Sequence, residues 1–331
     1  MNSFSFSERL AALEALEISH SRLDLLRDRI HALMETTAII RRLQPEGDQA
    51  GSLEMKALPI VGPSGSTKSW GMRIITRELL RSRANPNDVP ALRVTLADTV
   101  TGTKALHLAI LEAFGDPGRE AIDSSSYKPY RATMAIKTIA SQLNTHIVVL
   151  DEAHNMLART TPERAAVALK SLVNAGLFSL VVCGTEDVLP IFSAGTEFKS
   201  RLFTPVDFSP PLIADVEGCQ ELFSFAQKLC DEALRSGILD LPFDIVDTVE
   251  HCALLYDMTG GVIGQVANHL QRGVAAAFER GVPFVTWDNM IEAYNSWYRV
   301  AGGSSPNPIE SGVKPSTIKA VQKLVSNYGH N

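Results

Sequence analysis

Gly62-Pro63-Ser64-Gly65-Ser66-Thr67-Lys68-Ser69 combines two glycines, three serines and an ammonium in a short loop. The spacing is that of G-x-x-x-x-G-K-S/T, with Thr67 at the second glycine position. Between a strand and a helix, such a loop turns backbone N–H groups toward an anion. Lys68 would neutralise the β and γ oxygens of a bound nucleotide, Ser69 would hold Mg²⁺, and Trp70 opens the helix that follows. Thr67 departs from the pattern. Its Cβ crowds a backbone that there approaches phosphate or takes positive φ, which weakens any turnover the loop supports.

A second constellation follows some eighty residues on. Ile147-Val148-Val149-Leu150 is a short apolar run ending in Asp151-Glu152-Ala153-His154. Carboxylates at the carboxyl end of a parallel strand face the crevice where ligands bind. Asp151 can hold the Mg²⁺ water shell and Glu152 can polarise an attacking water. The two segments, in this order, resemble the Walker A and Walker B motifs, and together they point to an ATP or GTP site. The run Leu180-Val181-Val182-Cys183 ends in Gly184-Thr185, where Thr185 either orients water or caps the next helix. Arg201, in Phe198-Lys199-Ser200-Arg201-Leu202-Phe203, is either a guanidinium for a neighbour's γ-phosphate or a surface ion-pairing residue; Lys199 is a weaker substitute.

These residues need a frame. Short apolar runs at 57–61, 91–96, 147–150, 180–183 and 204–208 alternate with helical stretches, which predicts a parallel sheet covered on both faces. One helix is marked by Thr161 as N-cap, Pro162 at the first position and Gly176 beyond its end. Residues 8–44 carry leucines and isoleucines at three- and four-residue intervals, a helical packing face. From 215 onward only helical spacing recurs. The expected division is an N-terminal helical segment (1–50), an α/β core (51–212), a helical lid (213–300), and a linker with a short basic tail (301–331).

Composition narrows the classes. The 331 residues are 45% hydrophobic and 21% charged, so a wholly disordered chain is excluded. The 31 Lys and Arg against 37 Asp and Glu give a net charge of −6, opposite in sign to a protein that coats nucleic acid. Any such contact must be local. Four cysteines, at 183, 219, 230 and 252, show neither a C-x-x-C pair nor metal-ligand spacing. With no export signal and no membrane-length apolar run, the expected setting is cytoplasmic.

The motif set resembles the AAA+ family of P-loop NTPases. Cys183-Gly184-Thr185 matches its sensor 1 strand, Arg201 its trans-acting arginine finger, and Thr259-Gly260-Gly261-Val262-Ile263-Gly264 its lid entry. Near that entry stand Gln265 and Asn268, and the first basic residue on the helix is Arg272, so a sensor 2 arginine is not evident. Within AAA+, the chain is similar to the TniB/TnsC regulators of DNA transposition, relatives of MuB. The resemblance implies a five-stranded parallel sheet with a small helical lid and an ATPase that uses Mg²⁺. It also implies a ring or helical filament on double-stranded DNA that recruits a DDE transposase and answers to a TniQ-like targeting protein. Thr101-Gly102-Thr103-Lys104 and Tyr127-Lys128-Pro129-Tyr130-Arg131 lie near positions that line the central channel in relatives. Thr103, Lys104, Lys128 and Arg131 are therefore candidate DNA contacts, or else ordinary solvated loop residues. The alternative function is a nucleotide-dependent scaffold with little or no hydrolysis.

Overall fold

A computed structural model describes residues 5–43, 54–100, 102–115, 127–174, 176–282, 284–301 and 306–328. Thr101, the boundary loop expected at 45–52 and residues 302–305 of the expected linker lie outside these. Contacts divide the chain into one unit of residues 22–208 and another of 1–21 with 209–331.

The first unit is built on five parallel strands: β1 (Ala57–Val61), β2 (Ala91–Thr95), β3 (Ile147–Asp151), β4 (Ser179–Gly184) and β5 (Val206–Asp207). Their order is β2-β3-β4-β1-β5, and every pairing is parallel. All five expected strands are present. Strand period two sends alternate residues to opposite faces. Leu58 and Ile60 of β1 join Ile147 and Val149 of β3 in one core layer. Ala57 and Val61 join Val148 and Leu150 in the other. With both faces covered, these strands read as continuous apolar runs rather than alternating ones.

Of the two N-terminal helices, α1 (Phe6–Ala15) and α2 (Ser21–Leu43), only α2 enters this unit in bulk. Its Leu23, Leu26, Ile30 and Leu33 pack with Met72, Ile75 and Leu79 of α3 (Lys68–Arg81) over the first layer. Each fully buried Leu or Ile there contributes roughly 1.5–3 kcal/mol. The second layer is covered by α4 (Gly102–Ala113), α5 (Pro129–Gln142) and α6 (Pro162–Asn174). Thr161 caps α6 by accepting from the Arg164 N–H at 3.4 Å, with Pro162 first in the helix and Gly176 past its end. Short helices α7 (Leu189–Ser193) and α8 (Thr196–Lys199) lead to β5.

The second unit is helical: α9 (Val216–Arg235), α10 (Val249–Thr259), α11 (Ile263–Glu279), α12 (Trp287–Ala301), α13 (Pro308–Ser311) and α14 (Pro315–Tyr328). Two boundaries differ from expectation. Residues 8–44 are not one segment: the chain becomes extended at Leu16, and α1 packs on α11, with Arg9 over the Phe278 ring and ion-paired to Asp240. Nor is the C-terminal stretch a bare basic tail. Val321 of α14 is buried against Cys252 and Ala253 of α10. Asp257 accepts from the Lys314 N–H and the Thr317 hydroxyl, both at 3.0 Å, anchoring the start of α14. Lys319 and Lys323 are exposed on this helix and mask its apolar spacing.

All four cysteines are free and buried. No helix among the described residues is long and apolar enough to cross a membrane.

Candidate functional site

All five strands run the same way, so the loop after β1 and the carboxylates after β3 sit at one edge of the sheet. Gly62 must be glycine. A Cβ there would stand 2.6 Å from the Phe208 Cβ and 2.9 Å from the Phe208 carbonyl carbon, where β5 ends against β1. Gly65 and Thr67 both take positive φ, 77° and 69°. Thr67 thus holds a left-handed conformation that favours glycine, a strain of about 1–2 kcal/mol. Its hydroxyl donates to the Ser66 carbonyl at 2.5 Å. Sequence reasoning located this departure, and the backbone supplies its physical form.

Lys68, the first residue of α3, turns its ammonium back into the loop. It donates to the carbonyls of Gly62 and Pro63, each at 2.7 Å, and to the Ser66 hydroxyl at 3.0 Å. The side chain is buried, and burial pushes its pKa down against the opposing pull of nearby anionic groups, Glu152 and Asp151 among them. Ser64 and Gly65 form the exposed tip, Pro63 is half-buried, and Trp70 packs at the margin of the first core layer.

Ser69 and Asp151 meet as the motifs require: the Ser69 hydroxyl donates to Asp151 Oδ1 at 3.0 Å. Asp151 is only 1% exposed. Its Oδ1 also accepts the Glu152 N–H at 3.0 Å, and its Oδ2 accepts from the Arg93 guanidinium at 2.6 Å. A hydroxyl and a carboxylate oxygen converging beside a phosphate-binding loop suit a hard cation such as Mg²⁺. That ion takes one or two protein oxygens and completes its shell with water and phosphate.

Glu152 follows in the left-handed region, φ 57° and ψ 38°. Its Oε2 lies 3.4 Å from His154 Nε2. The Thr185 N–H points at His154 Nδ1 from 3.4 Å, so Nδ1 is the acceptor and Nε2 carries the proton toward Glu152. Gly184 permits this approach, because a Cβ there would press on the His154 N at 3.3 Å and Nδ1 at 3.4 Å. The Thr185 hydroxyl itself donates to Asp187 Oδ2 at 3.0 Å, so the contact toward Glu152 runs through Thr185's backbone and His154.

Arg201 is held elsewhere. Its backbone carbonyl accepts from the Ala57 N–H at 2.9 Å, at the amino end of β1. Its guanidinium pairs in bidentate fashion with Glu54, Nε–Oε2 at 2.9 Å and Nη2–Oε1 at 2.5 Å. Arg201 holds the Glu54 carboxyl below its usual range. Within one chain Arg201 is therefore on the opposite edge of the sheet from Lys68. Lys199 is exposed nearby.

The remaining candidates cluster. Lys104 Nζ lies 5.6 Å from the centroid of the Tyr127 ring, which brings α4 and the segment of Lys128 and Arg131 together. Thr103 is half-buried; Lys128 and Arg131 are exposed. In the helical unit, Arg272 lies over the Trp297 ring at 4.7 Å and beside His269 Nδ1 at 3.1 Å.

Three residues of the site escaped the sequence reading: Arg93, His154 and Glu54. Arg93 interrupts an apolar strand, which was a usable signal. His154 stood inside the recognised motif, but its role depends on β4. Glu54 had no signal, since its partner lies 147 residues away.

Comparison with known proteins places this geometry in a family. The family model described as "TniB: Bacterial TniB protein" matches residues 22–210. The chain belongs to the bacterial TniB family. That match covers more than half of the chain and nearly the same span as the α/β unit. Among solved structures, the Aeropyrum pernix ORC1 protein in complex with DNA aligns with TM-score 0.57 and 16% identity, over 97% of this chain and 86% of that one. The Aeropyrum pernix ORC2 protein in its ADPNP–ADP complexes aligns with TM-score 0.53 and 12% identity, over 91% and 79%. At these identities the likeness is one of fold: a P-loop NTPase of AAA+ type, with a five-stranded parallel sheet and a helical C-terminal region. A search of curated proteins gave no match. The TniB chain thus has the AAA+ fold.

Proposed function

We propose that this TniB-family chain hydrolyses ATP and binds double-stranded DNA as a ring or helical filament that marks target DNA for a transposase. The observation that carries the reading is the division of the site between two edges of one sheet. Lys68, Ser69, Asp151 and Glu152 gather at the carboxyl edge, while Arg201 stands at the amino edge. A site completed by a neighbour's arginine makes hydrolysis depend on assembly. The Aeropyrum pernix ORC1 structure in complex with DNA and the ORC2 structure in its ADPNP–ADP complexes support the same direction.

In this account the loop from Gly62 to Ser69 binds the phosphates through its backbone N–H groups. The Lys68 ammonium exchanges its loop carbonyls for phosphate oxygens. Ser69 and Asp151 would hold Mg²⁺, which when bound offsets charge on the β and γ oxygens. Glu152 accepts the proton of the attacking water, and His154, fixed by the Thr185 N–H, keeps the carboxylate oriented. Thr185 acts through that backbone contact, and Arg201 of an adjacent copy stabilises the charge that develops in transfer. Thr103, Lys104, Lys128 and Arg131 contact DNA phosphates, each weakly, and the assembly multiplies them. A DDE transposase and a TniQ-like targeting protein are the partners of such an assembly, in the cytoplasm.

A second reading, a scaffold with little or no hydrolysis, is favoured by the strained Thr67 and by the Arg93–Asp151 pair. Electron microscopy of the chain with duplex DNA and either ATP or ADP tests the proposal. Ordered rings or filaments on DNA with ATP alone support it. Dispersed monomers under both conditions overturn it, and ATP-dependent assemblies that release no phosphate select the scaffold.

A further inference from the structure

A cavity of about 480 Å³ opens between the N-terminal turns of α4 and α6, lined by Gly102, Thr103, Arg159, Thr160, Glu163 and Arg164 among others. None of the nucleotide-site residues lines it. The two turns follow β2 and β3, which are sheet neighbours, so the cavity lies at the same edge as the carboxyl ends of those strands. Arg159 and Arg164 are exposed, and among the described residues neither guanidinium has an ion-pair partner.

Two guanidiniums and two hydroxyls around an open cavity form a donor set for a phosphate group. The one carboxylate present does not cancel it. Glu163 is held below the usual carboxylate range by its own backbone N–H and by the Thr161 hydroxyl, so its charge is directed to the start of its own helix. Segments 102–104, 127–131 and 159–164 together carry five cations, Lys104, Lys128, Arg131, Arg159 and Arg164, against Glu163 alone. In a chain of net charge −6 that is a strong local reversal of sign. Lys104 on Tyr127 links the first two segments, and Thr103 links them to the cavity. A row of cations suits a ligand whose phosphates repeat, rather than a single small anion.

We infer that Arg159 and Arg164, with the Thr103 and Thr160 hydroxyls, form a backbone-phosphate site for duplex DNA. The inference rests on the proposed function and adds contacts after β3 to those expected after β2. Each neutralised phosphate releases counterion and contributes about 0.9 to the slope of log affinity against log salt.

The test is fluorescence anisotropy of the full chain with labelled duplex DNA, a non-hydrolysable ATP analogue and Mg²⁺ across a salt series. The Arg159→Ala/Arg164→Ala double variant should lose about 1.8 from the salt slope per protomer bound and roughly 10- to 100-fold in low-salt affinity. Arg159→Lys/Arg164→Lys should restore most of both. Analogue affinity and the thermal unfolding midpoint should match wild type. A wild type that binds duplex with strong salt dependence, beside a double variant of unchanged slope, overturns this inference alone. A fall in affinity without a change in slope places the arginines at a subunit contact and also overturns it. A wild type that binds no duplex overturns the functional reading and this inference together.

Discussion

The Arg93 guanidinium on β2 lies 2.6 Å from Oδ2 of Asp151 on the neighbouring strand β3, so the carboxylate that ends β3 is ion-paired within its own fold. Asp151 is 1% exposed, and a carboxylate that deep must be paired or fully hydrogen-bonded. Its other oxygen faces Ser69. Arg93 and a divalent cation therefore draw on the same charge. In Arg93→Gln the Mg²⁺ concentration that half-saturates binding of a fluorescent ATP analogue should fall severalfold. Thermal stability should drop by about 1–3 kcal/mol as the pair is lost. An unchanged Mg²⁺ requirement would show that the pair does not compete with the ion.

Thr67 occupies a left-handed backbone position with φ 69°. Replacing it with glycine removes about 1 kcal/mol of strain, equivalent to about fivefold in an equilibrium constant. If nucleotide binding adds about 1 kcal/mol of crowding at Thr67 beyond the strain of the free loop, Thr67→Gly should bind ATP about fivefold more tightly by isothermal titration calorimetry, or turn it over faster. Equal or weaker affinity with unchanged turnover would contradict this.

His154 touches both Glu152 and the backbone of Thr185. Without the imidazole, Glu152 loses its orienting donor but the phosphate loop is untouched. His154→Ala should lower kcat about tenfold while KM for ATP stays near wild type, and His154→Gln, which keeps a side-chain N–H, should recover part of the loss. A raised KM with kcat intact would instead assign His154 to substrate binding.

What could be read from the sequence follows from how local each feature is. The loop 62–69 and the pair Asp151-Glu152 are contiguous, and the strands that present them are unbroken apolar runs, so fold and motifs were legible together. Arg93, His154 and Glu54 act across strands or from 147 residues away, and their meaning depends on sheet order. The helix α14 was hidden by Lys314 just before it and by Lys319 and Lys323 within it, although Thr317, Val321 and Leu324 are among its buried residues. The split of α1 from α2 was passed over because leucine and isoleucine recur on both sides of it, although the two- and five-residue steps Leu16–Ile18–Leu23 break the helical spacing there.

Two buried histidines give the fold a pH dependence. Burial lowers the pKa of His107, in the α/β unit, and of His269, in the helical unit, to about 4. Unfolded, each titrates near 6.5. Above that pH both states are neutral and stability is full. As pH falls from about 6.5 toward 4 the unfolded chain takes up protons that the native chain refuses, and stability is lost, by at most about 3 kcal/mol per histidine. Thermal unfolding midpoints should therefore decline between pH 7 and 5, and His107→Gln should flatten the decline of the α/β unit. A midpoint constant over that range would contradict the burial of both rings.

In the proposed function, the site at the carboxyl ends of β1 and β3 hydrolyses ATP with Glu152 as its base. Steady-state phosphate release by the wild type and by Glu152→Gln, each with and without duplex DNA, tests it most directly. Wild type should release phosphate measurably and faster with DNA, and Glu152→Gln should lose at least about 100-fold with ATP binding retained. Turnover in Glu152→Gln equal to wild type would contradict it.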